Sequence, residues 1–147
     1  MSWTVSAPIV VPIDFSGMSI DAVRTACSIA ERTDQVCVVH VVSNVDQIAP
    51  EMAELNAASD EEREVTVKAH FADFLRQHGL NDVQEIVLKG LPAEQITRFA
   101  AQRRAGLIVI PSHGYGGLKR LVLGSVAEEV IRQAICPVLV LRRQDAE

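Results

Sequence analysis

The densest chemistry in this chain lies between Pro111 and Ser125, PSHGYGGLKRLVLGS, where Gly114, Gly116, Gly117 and Gly124 fall within one connection. Glycine loses more backbone entropy on ordering than any other residue. Such a cluster therefore points to positive φ angles, or to bare backbone that a ligand must approach closely. Gly124-Ser125 also stands where an apolar helical pattern begins, and the free N–H groups and positive dipole end of a helix N-terminus favour phosphate. The same residues suit a tight glycine turn followed by a serine cap, and spacing alone leaves both readings open. Lys119 and Arg120 likewise read either as cations for one phosphorylated small molecule or as a solvated pair.

Several other chemistries are poorly served. No GxxxxGK[ST] run occurs, so the lysine-bearing phosphate loop of fast phosphoryl transfer is missing. Gly114-Tyr115-Gly116 lacks the third glycine of a dinucleotide fingerprint and follows the fourth apolar run of the chain. His40, His70, His78 and His113 show no ligand spacing with cysteine, so no protein metal site is predicted and each histidine is expected to be structural. A magnesium ion would arrive only with ATP, carried by the phosphates. No strong catalytic apparatus is visible, and slow ATP hydrolysis is the most that an enzymatic reading allows.

Charge narrows the partners. Lys and Arg total 14 against 19 Asp and Glu, a formal charge of -5. That balance builds no broad positive field for nucleic acid or an anionic membrane. Cys27, Cys37 and Cys136 are far apart in apolar stretches and read as core thiols. Residues 1–6 carry no basic segment leading into a long apolar run, and no apolar stretch reaches the roughly 18 residues of a membrane span. A reducing cytoplasm is the expected compartment. With 147 residues, the expectation is one domain over 1–147.

The elements that would position the glycine segment alternate in period. Ala7 to Ile13 (APIVVPI), Val36 to Val42 (VCVVHVV), Val83 to Leu88, Leu107 to Ile110 (LIVI) and Val138 to Leu141 (VLVL) are short apolar runs suited to strands buried on both faces. Between them, Ser19 can cap a helix carrying Ile20, Val23, Cys27 and Ala30 on one stripe. Ser59 to Glu62 has the form of a capping box before a helix over 60–78 that bears Val67, Phe71 and Phe74, with Gly79 placed to stop it. Gly90-Leu91-Pro92 turns into a helix with Ile96, Phe99 and Ala100 on one face. A helix from Ser125 to Ala134 follows, with Val126, Ala127, Val130 and Ile131 on its stripe. Residues 43–56 read as a loop or lid. Such alternation predicts an α/β fold, a doubly wound parallel sheet with helices on both faces. Ligands collect in such folds where the winding reverses, so the loops after strands one and four are the places to look.

These motifs together resemble the universal stress protein family. His113-Gly114 through Gly124-Ser125-Val126-Ala127-Glu128-Glu129-Val130-Ile131, then Cys136-Pro137-Val138-Leu139-Val140-Leu141, resembles its carboxyl-terminal signature. Val11-Pro12-Ile13-Asp14-Phe15-Ser16, His40-Val41-Val42 and Gly90-Leu91-Pro92 match earlier parts of the pattern, so the likeness runs from Ile9 to Leu141. It implies a five-stranded sheet of order 3-2-1-4-5. It also implies a stress-response regulator that binds ATP or AMP and forms a homodimer through its last strand, with a signalling partner the sequence does not name. By the same resemblance Pro12, Asp14 and Val41 would hold the adenosine, while Gly114, Gly124, Ser125, Val126 and Ala127 would serve the phosphates. Asp14 has a second reading as a turn-forming Asx residue. One departure stands out: the family's first motif glycine is Pro111 here, which has no N–H to donate. A homodimeric interaction protein that has lost nucleotide binding is therefore the alternative.

Overall fold

In a computed structural model, which describes residues 5–42, 60–113 and 123–142, strands and helices alternate along the chain. Strand β1 (Ile9–Pro12) leads to helix α1 (Gly17–Ile29), then to a 3-10 turn at Thr33–Gln35 and strand β2 (Val36–Val42). Helix α2 (Asp60–Gln77), strand β3 (Gln84–Lys89), helix α3 (Pro92–Gln102), strand β4 (Leu107–Pro111), helix α4 (Ser125–Gln133) and strand β5 (Val138–Leu141) follow. All strand pairs are parallel, and the order is β3-β2-β1-β4-β5, as the resemblance implies.

The period-two alternation of the strands assigns each side chain to a face. Ile9, Val11, Val36, Val38, Leu107 and Val109 pack with Ala22, Val23 and Ala26 of α1 and Val67, Phe71 and Leu75 of α2. Val10, Cys37, Val39, Ile108 and Ile110 point the other way, onto Ile96, Phe99 and Ala100 of α3 and Ala127 and Val130 of α4. Two apolar layers thus sandwich one sheet. Each fully buried Val, Ile or Phe contributes on the order of 1.5–3 kcal/mol over leaving it in water. The three cysteines are free thiols, Cys37 buried and Cys27 and Cys136 half-buried.

Local rules explain most boundaries. Pro92 occupies the first turn of α3, where its missing N–H costs nothing. Gly79 takes φ +69° just past α2 and Gly90 takes φ +131° just past β3, conformations that side chains rarely adopt. Ser59, expected to open α2, lies outside the described residues. Two expectations need correction. Ser19 does not cap α1: Ser16 is the N-cap, and Ser19 is fully buried inside the first turn. Ile131, placed on the apolar stripe of α4, is exposed, because Ala127 and Val130 alone of that stripe are fully buried against the sheet. The ends of β1, β3 and β4 shift by one or two residues, and helix α4 stops one residue sooner than expected.

Candidate functional site

The chain winds from β1 to β2 to β3 on one side, then crosses back to lay β4 on the opposite side of β1. The reversal therefore falls between β1 and β4, and their carboxyl ends form the floor of the candidate site. Pairing between these two strands covers only Ile9–Leu107 and Val10–Ile108, although β1 runs on to Pro12 and β4 to Pro111.

Asp14 follows β1 and is held by its own loop. The amide N–H of Ser16 donates to Asp14 Oδ1 at 3.0 Å, the two-residue Asx geometry. Ser19 Oγ donates to the same oxygen at 2.9 Å and accepts the Asp14 N–H at 3.2 Å. The buried serine inside α1 is thus the clamp that sets the carboxylate. Between Asp14 and Ser16, Phe15 adopts φ +67°, a left-handed conformation uncommon for a bulky residue. Its ring is buried and packs 4.5 Å from the His40 ring, 4.7 Å from His70, 5.3 Å from Phe74 and 5.7 Å from Phe71. The aromatic contacts hold the strained turn in place.

His40, on β2, donates from Nδ1 to the Ile13 carbonyl at 2.9 Å, which ties the β1 loop to its neighbour strand. Burial pushes the His40 pKa down, and the nearby His70 pushes it the same way. The Ile13 bond and the Asp14 carboxylate oppose that shift without cancelling it. Val41, the next residue, is half-buried and packs toward the α3 and α4 layer at the end of β2.

Across the gap, Gly124 is the N-cap of α4 and its N–H donates to the Ser112 carbonyl at 2.6 Å. A side chain at Gly124 would bring its Cβ to 3.1 Å from that carbonyl, so a glycine lets α4 start directly over the end of β4. The first bond of the helix joins the Glu128 N–H to Gly124 O at 3.0 Å. The amides of Ser125, Val126 and Ala127 precede it, and Gly124 has no side chain to cap them. Ser125 is exposed, Val126 half-buried and Ala127 buried. Ser112 Oγ lies 3.1 Å from His113 Nδ1, and His113 Nε2 is buried without a partner among the described residues.

Of the residues singled out from sequence, Pro12, Asp14, Pro111, Gly124, Ser125, Val126 and Ala127 cluster at the ends of β1 and β4 and the start of α4. Val41 is the penultimate residue of the adjoining strand β2. Gly114, with Lys119 and Arg120, lies outside the described residues. Sequence reasoning missed the Ser19 clamp and the Phe15 ring cluster. A polar residue at a stripe position of α1 was the available signal for the first; nothing local signals the second. Among the described residues, no group of three or more His, Cys, Asp or Glu side chains is placed to hold a metal ion, and no helix is long and apolar enough to cross a membrane.

A sequence model described as the universal stress protein family matches residues 7–142. The universal stress protein MJ0531 of Methanocaldococcus jannaschii is 35% identical over 145 residues, covering 95% of this chain and 84% of the relative. The solved structure of MJ0577 from the same organism superposes with a TM-score of 0.73 at 25% identity, covering 97% of this chain and all of the other. A universal stress protein from Archaeoglobus fulgidus, solved in complex with dAMP, superposes with a TM-score of 0.60 at 25% identity over 95% of this chain and 100% of that one. Some other curated relatives are longer, and the chain spans about half their length.

Proposed function

Because this chain belongs to the universal stress protein family, we propose that it is a stress-response regulatory module that binds an adenine nucleotide, ATP or AMP, at the crevice between β1 and β4. The observation that carries this reading is the start of α4: three amides, at Ser125, Val126 and Ala127, that have no capping partner among the described residues, stand beyond the end of β4. Free helix amides with the positive dipole end behind them bind phosphate oxygens without any metal cage. The Ser125 hydroxyl adds a further donor. Val41 offers apolar surface for the base on the other side of β1, and Asp14, beside Pro12, is oriented by Ser19 to accept from the adenosine. Gly114 would complete the phosphate cradle. A magnesium ion would come with the phosphates of ATP and neutralise them. The relative from Archaeoglobus fulgidus solved with dAMP supports the ligand class.

The module is read as one domain that pairs with a second copy through β5. The two sheet edges differ. On β3, Gln84, Glu85 and Lys89 are exposed, a polar edge that resists pairing. On β5, Leu139 is 37% exposed and the neighbouring Ile135 is 84% exposed, an apolar edge in want of cover. One observation favours the alternative, a homodimer without nucleotide: Pro111 offers no N–H where the family pattern has glycine.

Calorimetric titration of nucleotide-stripped protein with Mg-ATP, AMP and GTP decides between them. Gly124→Asp places a carboxylate where phosphate would sit, and Gly124→Ala controls for the tight approach of a Cβ to Ser112. Saturable, adenine-selective binding abolished by aspartate and retained with alanine supports the proposal. Absence of binding in the unsubstituted protein refutes it in favour of the nucleotide-independent dimer.

A further inference from the structure

Phe15 is held in a conformation that a bulky residue seldom adopts, and two of the side chains that hold it can change charge. At φ +67° its turn persists only while the surroundings over-determine it. Those surroundings are ring contacts. His40 of β2 meets the Phe15 ring at 4.5 Å with the planes 42° apart, and His70 of α2 meets it edge-on at 4.7 Å. Phe71 and Phe74 of α2 complete the seat. Histidine is the side chain whose ordinary titration falls between about pH 5 and pH 8. Neither imidazole is well placed to keep an added proton. His40 already donates from Nδ1 to the Ile13 carbonyl, so a second proton goes to Nε2 and makes the ring a cation beside the β1 loop. His70 Nε2 is buried without a hydrogen-bond partner among the described residues. Both nitrogens of an imidazolium carry N–H, so a charged His70 must turn that nitrogen toward water to satisfy it.

The groups that bear on His40 are Asp14 on the β1 loop and His70 on α2. Burial and His70 oppose its charging, and the Ile13 bond and Asp14 favour it without prevailing. Other charged groups on the packed elements are engaged or exposed. Lys89 of β3 and Lys68 of α2 both pair with Glu64, at 3.1 Å and 3.2 Å, while Glu85 of β3 and Asp21 and Arg24 of α1 are exposed. Arg63 precedes His70 by two turns of α2, and His78, just past α2, packs 5.2 Å from the Phe74 ring. We propose that His40 and His70 form a proton-operated latch on the β1 loop: neutral, the two rings seat Phe15 and so keep Asp14 in its Asx turn, and protonated, they part from Phe15 and let that turn go. The released backbone returns to negative φ. The bonds from Ser16 N–H and Ser19 Oγ that orient the Asp14 carboxylate go with it. Because the folded chain resists the proton at His40, the latch is closed at neutral pH and opens as pH falls below about 6.5. It is a property of the chain alone, whatever occupies the crevice.

The test is a magnetic-resonance titration of the full chain, isotope-labelled and free of nucleotide, from pH 7.5 to pH 5. It follows the ring resonances of His40 and His70, the amides of Asp14, Phe15 and Ser16, and the nuclear Overhauser contacts between the Phe15 ring and the two imidazoles. The loop amides are expected to move with the same midpoint as the imidazoles. The ring contacts should fade over the same range while the amides of β1 and β4 hold their positions. His40→Gln and His70→Phe should each shrink the movement of the loop amides, and the double variant should abolish it. Ring contacts that survive the titration of both imidazoles overturn the latch, as do loop amides that move alike in the double variant. Simultaneous loss of all native amides, the mark of global unfolding, overturns it too. Should the double variant not fold, the fate of the ring contacts in the unsubstituted protein still decides the matter.

Discussion

Ser19 holds Asp14 from both ends, accepting its backbone N–H at 3.2 Å and donating to its carboxylate at 2.9 Å from a fully buried position in α1. A serine at the third helical position thus belongs functionally to the loop before it. Ser19→Ala strips the carboxylate of one donor and the amide of its acceptor, and the loss of a partner from half-buried groups costs about 1–3 kcal/mol. Denaturant unfolding should show that loss, and AMP affinity should fall with it because Asp14 is no longer oriented. Unchanged stability would mean that water replaces the hydroxyl freely.

The aromatic cluster beneath this loop makes a stronger demand. Phe15 is 4% exposed and sits between His40, His70, Phe71 and Phe74. Phe15→Ala is expected to destabilise the protein by about 3–5 kcal/mol through the cavity it leaves. A loss under about 1 kcal/mol by denaturant unfolding would show that the ring does not anchor the turn.

Acid should weaken the same region. His40 has a folded pKa below its ordinary value, chiefly through burial. The unfolded chain therefore binds the proton more readily than the folded one. The stability that a neutral His40 brings is complete above the unfolded value of about 6.5, and is lost as pH falls from there through the lower folded pKa. Unfolding free energies measured from pH 7.5 to pH 5 should decline, and His40→Gln should flatten part of that decline. An unchanged profile in the variant would assign the acid sensitivity elsewhere.

How much of this was readable in the residues differs by element. Strands β2 and β5 stand where their unbroken apolar runs place them, since a strand buried on both faces needs little else to mark it. Strand β1 is shorter than its apolar run APIVVPI, because hydrophobicity continues past both of its ends while the pairing that bounds a strand is a property of the sheet. Gly124-Ser125 was legible as a helix start, for the helical stripe begins there. The Phe15 cluster was not, because His40 and His70 come from separate elements and a left-handed phenylalanine follows no local rule. Ser19 departs from the capping pattern for a related reason: its partner lies five residues back, outside the three-residue reach of a cap.

The sheet edge gives a further expectation. If β5 pairs with its copy, light scattering at micromolar concentration should return twice the 16.0 kDa chain mass. Leu139→Lys, which puts a charge on the exposed apolar edge, should shift the population toward monomer. A monomeric mass for the unsubstituted protein would remove the dimer from the account.

The most direct measurement of the central claim is a two-dimensional amide spectrum of isotope-labelled, nucleotide-stripped protein, recorded before and after saturation with AMP. The account predicts that the largest shifts fall on the amides of Ser125, Val126 and Ala127, with smaller ones at Asp14 and Val41, and little change along β3. Shifts that gather elsewhere, or a spectrum that AMP leaves untouched, would contradict a nucleotide site at the junction of β1, β4 and α4.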